Sequence, residues 1–153
     1  MHYHLYQTEE FQVVSGTARF FVNDQSFIRK AGEIQFIPQG ACHAFENVST
    51  TGEYLVIDFR LDKQDWKTEE CFFRDFFGYL DDCRKARQSP SPCQMSVFLY
   101  SLRAPLAVPV PGPVWLGRQV SWVVTVIMGL VIGQWLLGYR PSYDEYYHDK
   151  KKK

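Results

Sequence analysis

His2-Tyr-His4-Leu-Tyr-Gln-Thr-Glu9, followed after six intervening residues by Gly16, opens this 153-residue chain. Side chains at i and i+2 of an extended segment point to one face, so His2 and His4 can hold a single ion. A second pattern starts after 15 intervening residues, as Gly32-x5-Pro38-x-Gly40-x2-His43-x3-Asn47. Glu9 and His43 complete a set of three imidazoles and one carboxylate. The glycines and the proline have physical work to do. Gly16 sits between two apolar runs and supplies the positive φ that a tight hairpin needs. Pro38-Gln39-Gly40 is a turn that delivers His43 onto the next strand.

Taken together and in order, the two patterns resemble the paired signatures of the cupin superfamily over residues 1–61. The resemblance implies a mainly β fold, a double-stranded β-helix barrel, followed here by C-terminal helices. It maps the family's metal ligands by spacing onto His2, His4, Glu9 and His43. Glu10 stands beside Glu9, but only Glu9 keeps the six-residue interval to the glycine. The first family pattern normally opens with a glycine and a preceding strand. Here Met1 directly precedes the first ligand, so the barrel is expected to be N-terminally short. Imidazole with carboxylate suits a divalent transition metal: iron, manganese, nickel, copper or zinc. Tyr6 and Glu10 are the expected acid–base groups near it. Phe36, Phe45 and Ile57 are candidates for its apolar wall. Asn47 reads as a turn-stabilising side chain.

Six short β-rich runs fill residues 1–61, namely 10–14, 17–22, 25–29, 33–37, 41–46 and 53–61, separated by Gly, Asn, Asp and Ser turns. The texture changes near residue 62. Between Asp65 and Arg87, Phe72, Phe73, Phe76, Phe77, Leu80 and Cys83 recur at helical spacing. Acidic residues open that segment and basic ones close it, which complements a helix dipole. The Phe stripe is expected to pack on the outside of the barrel, with a partner or membrane surface as the alternative. Cys93–Leu102 reads as a second, shorter helix after Ser89-Pro90-Ser91-Pro92. The organisation is thus a barrel over 1–61, a helical extension over 62–104, a stiff proline-rich linker over 105–113, an apolar helix over 114–140 and a polar tail over 141–153.

Formal net charge is zero, with 17 basic and 17 acidic residues, which argues against nucleic-acid binding. Residues 1–110 carry 11 basic against 14 acidic side chains, and residues 111–153 carry 6 against 3. Cys42, Cys71, Cys83 and Cys93 lack CxxC spacing and read as reduced thiols of an intracellular protein. No charged-then-apolar leader precedes the first pattern, in line with that compartment.

The 21 residues 119–139 carry no formal charge. At ~1.5 Å per residue they make roughly 30 Å of helix, the hydrocarbon thickness of a bilayer. Trp115, Trp122, Trp135, Tyr139 and Tyr143 lie near the ends, where an aromatic belt belongs. Gly129 and Gly133 form a GxxxG that would let two such helices approach in a homodimer. The alternative is a core helix of a soluble dimer. Lys150-Lys151 fit a di-lysine retrieval signal, which makes the endoplasmic reticulum the candidate membrane.

The tail Gly138-Tyr-Arg-Pro-Ser-Tyr-Asp-Glu-Tyr-Tyr147 extends the resemblance to a group of small fungal cupin-2 proteins. Members of that group occur among secondary-metabolite genes and are often labelled oxidoreductases. The resemblance therefore implies a metal-dependent, dioxygenase-like oxidoreductase acting on a small oxygenated or aromatic metabolite. A cupin that binds ligand without turnover, anchored to a membrane, is the alternative, since fold does not dictate function.

Overall fold

The computed structural model describes residues 1–50, 52–62 and 66–148. Asp65 and the lysines 150–153 lie outside these. The chain divides into two compact units, Met1–Gln64 and Asp65–Lys153.

The first unit holds six strands: β1 (Glu9–Ser15), β2 (Thr17–Val22), β3 (Gln25–Lys30), β4 (Ile34–Ile37), β5 (His43–Asn47) and β6 (Val56–Leu61). They form two three-stranded antiparallel sheets, ordered β4-β1-β6 and β3-β2-β5. Strict alternation builds the core. Phe11 and Val13 of β1 and Ala18, Phe20 and Val22 of β2 are buried together with Ile37 and Ala41, while their odd-even neighbours face out. Three expected strands start late, each because a turn takes its first residues. Glu33 closes onto the Lys30 carbonyl, Ala41 onto that of Pro38 and Glu53 onto that of Thr50.

Gly16 joins β1 to β2 at φ 82°. A Cβ there would lie 2.7 Å from Ser49 Oγ and 2.8 Å from the Tyr54 carbonyl. The position therefore needs glycine for space as well as for backbone conformation. Asn47 caps the β5–β6 loop, accepting from Ser49 N at 2.9 Å and donating to the Glu53 carbonyl at 3.1 Å. It stabilises a turn, as its sequence context indicates.

The second unit contains α1 (Trp66–Lys85), α2 (Pro92–Leu102) and a continuous helix α3 (Val114–Leu136). From Val126 to Leu136 the hydrogen bonds of α3 widen to π-helical register. Pro92 starts α2, where a missing N–H costs nothing, and Ser91 caps it by accepting from Gln94 N. The Phe stripe of α1 meets α2: Phe72 and Phe76 cluster with Phe98 and Leu99.

A stripe of small residues on α3 faces α2 from the other side. Ser121, Thr125, Gly129 and Gly133 recur every four residues and all are buried. A Cβ on Gly129 would lie 2.6 Å from the Ser96 carbonyl, and one on Gly133 would lie 2.6 Å from Val97 Cγ2. The GxxxG, expected to serve a second copy, is instead filled by α2 of the same chain. Pairing is antiparallel, with Val97 beside both glycines and Tyr100 stacked on Trp122 at 5.7 Å.

The tyrosine-rich tail folds back over α1 and α2. Buried Asp75 accepts from Tyr143 N at 2.7 Å, and the Tyr143 hydroxyl donates to Gln94 Oε1 at 2.6 Å. Tyr146 lies over Gly78, where any Cβ would meet its ring, and donates to Asp82. Cys42, Cys71, Cys83 and Cys93 are free thiols.

Candidate metal centre

Residues 2–4 are tied to the start of β5 by a two-hydrogen-bond bridge. His2 N donates to the His43 carbonyl at 3.1 Å, and His43 N donates to that of His2 at 2.8 Å. Tyr3 is buried between the two histidines, and the His4 carbonyl accepts from Gly40 N. These contacts hold an otherwise terminal segment in place. Alternation then turns His2 and His4 to one side. Glu9 begins β1 on its inward-facing side, and β5 contributes His43 next to it.

The four side chains converge. One ligand atom from each of His2, His4, Glu9 and His43 can be chosen so that all lie within 4.8 Å of one another. His4, Glu9 and His43 are buried, and His2 is partly so. Glu9 Oε2 lies 3.3 Å from His4 Nε2 and 2.9 Å from His43 Nε2. These distances suggest hydrogen bonds, but the angles do not form them. His4 Nδ1 and Nε2, Glu9 Oε2 and His43 Nε2 all lack a hydrogen-bond partner. The site is therefore a set of converging ligand atoms rather than of paired donors and acceptors.

Proton placement sharpens this. His43 Nδ1 lies 3.0 Å from the Ala41 carbonyl, which can only accept, so Nδ1 carries the proton. In neutral His43 that leaves a lone pair on Nε2 aimed at a carboxylate oxygen 2.9 Å away. Two acceptors at that distance require a cation between them or a second proton on the ring. Burial, with like charge from His43 and His4, lowers the His2 pKa to about 3 and keeps its ring neutral and able to ligate. Burial pushes Glu9 the other way, but the His4 and His43 rings, where they carry a proton toward it, outweigh that and hold its pKa at about 2. A buried anion ringed by unsatisfied imidazole nitrogens, one of them oriented by a backbone carbonyl, fits a divalent transition metal.

Two expected site residues fall elsewhere. Glu10 sits on the opposite face of β1 from Glu9, directly across from Phe36 and Arg60. Tyr6 is 56% exposed. Adjacent positions on a strand face opposite ways, so Glu9 and Glu10 cannot share a site. Phe36 shares that outer face and does not line the centre. Ile57 packs against the barrel core.

The aromatic wall is formed by Phe11, Phe45 and Phe59. Phe11 lies 6.1 Å from the His43 ring, 5.5 Å from Phe45 and 6.3 Å from Phe59. Phe45 pairs with buried Phe20 and Phe59 with buried Phe11, so both sit on the inner face, yet both remain partly exposed. Phe11 and Phe59 were legible, since two-residue steps inward from Glu9 lead to Phe11 and strand pairing leads on to Phe59.

With this geometry in view, comparison with known proteins is informative. A cupin domain model matches residues 1–58. The probable oxidoreductase virH of Hypocrea virens is 31% identical over 152 residues, which cover 97% of this chain and 68% of the relative. Oxidoreductase OpS7 of Beauveria bassiana is 27% identical over 174 residues, covering 97% of this chain and 56% of that protein. Epoxidase atD of Aspergillus terreus is 28% identical over 154 residues, covering 97% of this chain and 47% of that protein. The chain thus spans about half the length of the latter two relatives. It belongs to the cupin family, and its similarity to fungal oxidoreductases extends through the helical unit.

Proposed function

We propose that the chain is a metal-dependent cupin oxidoreductase acting on a small oxygenated or aromatic metabolite. One observation carries the reading: four ligand atoms converge, and both ring nitrogens of His4, Nε2 of His43 and Oε2 of Glu9 are buried there without a hydrogen-bond partner. The oxidoreductase and epoxidase names of its fungal relatives support the reaction class. His2, His4 and His43 would hold the metal through neutral nitrogens, and ionised Glu9 would offset part of its charge. A redox-active metal at that position supplies Lewis acidity and one-electron chemistry when bound. Phe11 beside His43, with Phe45 and Phe59 tilted against it, offers an apolar aromatic wall suited to the carbon skeleton of a small substrate. The Ala41 carbonyl holds the Nδ1 proton of His43 and so keeps Nε2 directed at the site.

A second reading, a ligand-binding cupin without turnover, is favoured by the outward position of Glu10 and the exposure of Tyr6. Elemental analysis of the chain and of H43A, followed by oxygen uptake with oxygenated aromatic compounds, separates the two. Stoichiometric metal lost in H43A, with substrate-dependent oxygen uptake, is the expected result. Metal without turnover of any compound favours the second reading. A chain that takes up no metal after reconstitution refutes both the site and the reaction.

A further inference from the structure

We propose that α3 lies in the plane of a lipid bilayer interface, with its outer face in the acyl region and α2 as its partner on the protein side. The starting observation is an inverted surface. Among the described residues, the exposed positions of α3 and its C-terminal cap are Val114, Trp115, Gln119, Val123, Val124, Ile127, Trp135, Leu136 and Leu137, and Gln119 alone is polar. Only 22% of the most apolar 18-residue window of this helix is buried. A core helix of a water-soluble unit would bury that face. This one buries its small and polar face against α2 and leaves the large apolar one open.

Lipid, rather than a second copy, is the occupant that the remaining features fit. The 21 residues between Arg118 and Arg140 are free of charge, a constraint that hydrocarbon imposes and a protein interface does not. Trp115 and Trp135 are both exposed, and indole prefers the headgroup boundary at which an in-plane helix lies. The hydroxyls on the helix are also satisfied without water. Ser121 Oγ donates to the Gly117 carbonyl at 2.7 Å and accepts from Val108 N at 2.9 Å, and Thr125 Oγ1 donates to the Ser121 carbonyl at 2.9 Å. Both hydroxyls lie on the buried face of α3, so the outer face presents neither to lipid.

The orientation follows from α1. That helix covers α2 through Phe72, Phe76 and Tyr79, and it carries surface ion pairs of Arg74 with Glu70 and of Arg84 and Lys85 with Asp81. Were α3 to span the bilayer with α2 at its side, these charges would be drawn into hydrocarbon. Lying in the interface plane, α3 immerses its outer face by ~5–10 Å while α1 stays in water.

The test is flotation of the full chain with vesicles of phosphatidylcholine containing one-fifth phosphatidylserine. The wild type is expected to float, and V123E/I127E to lose membrane-bound protein by at least about tenfold, two charges on that face being incompatible with immersion. The two positions are exposed, so the variant should keep its circular dichroism and melting profile. With Trp66, Trp115, Trp122 and Trp135 replaced by Phe and I127W as the one tryptophan, at the middle of α3, emission should be quenched more by lipids brominated at shallow acyl positions than at deep ones. Stronger quenching by the deep label would mean a spanning helix and overturn the in-plane arrangement. A wild type that stays unfloated overturns the proposal, and if it sediments as a dimer that V123E/I127E dissociates, a second copy covers the face.

Discussion

Glu9 and Glu10 are chemically identical and adjacent, yet the pleat gives them opposite surroundings. Glu9 faces three imidazoles, whereas Glu10 faces outward beside Phe36 and Arg60. Glu9→Gln should therefore weaken divalent-metal affinity by at least about tenfold, as loss of a supporting carboxylate commonly does. Glu10→Gln should leave affinity within about twofold. Calorimetric titration of manganese or zinc into the two variants checks the pair, and equal losses would undo the ligand assignment. Gly16 is a second position where one atom decides. With φ at 82° and backbone 2.8 Å from an added Cβ, Gly16→Ala should cost about 1–3 kcal/mol and lower the melting temperature.

Among elements, the contact between α2 and α3 depends on closeness rather than on bulk. Replacing Gly129 with Val places a side chain where the Ser96 carbonyl already lies 2.6 Å from the Cβ position. Overpacking of this kind costs about 1–3 kcal/mol, so G129V should lower the denaturant midpoint of the helical unit. Ile127→Ala on the same helix, at an exposed position, should cost less. The tail is held by a different force. Asp75 is fully buried and accepts from Tyr143 N. Asp75→Ala would leave that amide unpaired, at about 1–3 kcal/mol. Limited proteolysis should then cut after Tyr143, Tyr146 or Tyr147 faster than in the wild type.

For the whole molecule, metal binding and folding of the barrel are linked, because residues 2–4 are held at the site by their pairing with β5 and with the Pro38–Gly40 turn. Metal at 100 times its dissociation constant should stabilise the barrel by about 2.7 kcal/mol, and a chelator should reverse the gain. An unchanged melting curve on metal addition would mean that the four ligands do not act as one site.

Much of this was legible in the chain. Two-residue alternation placed His2 and His4 together, the glycine and proline spacings located the turns, and their joint order pointed to the cupin barrel. Such features are local, because a strand's faces and a turn's φ requirement are set within a few residues. The role expected for Glu10 failed for the same reason in reverse: closeness in sequence to a ligand is no guide to facing when neighbours alternate, and Phe36 likewise lies on the outward side of β4. The partner of Gly129 and Gly133, and the docking of Tyr143 and Tyr146 on α1, could not be read at all. A glycine stripe records only that something approaches closely. What approaches is chosen by the connection after α2 and by packing across tens of residues, and that choice exists only once the chain has folded.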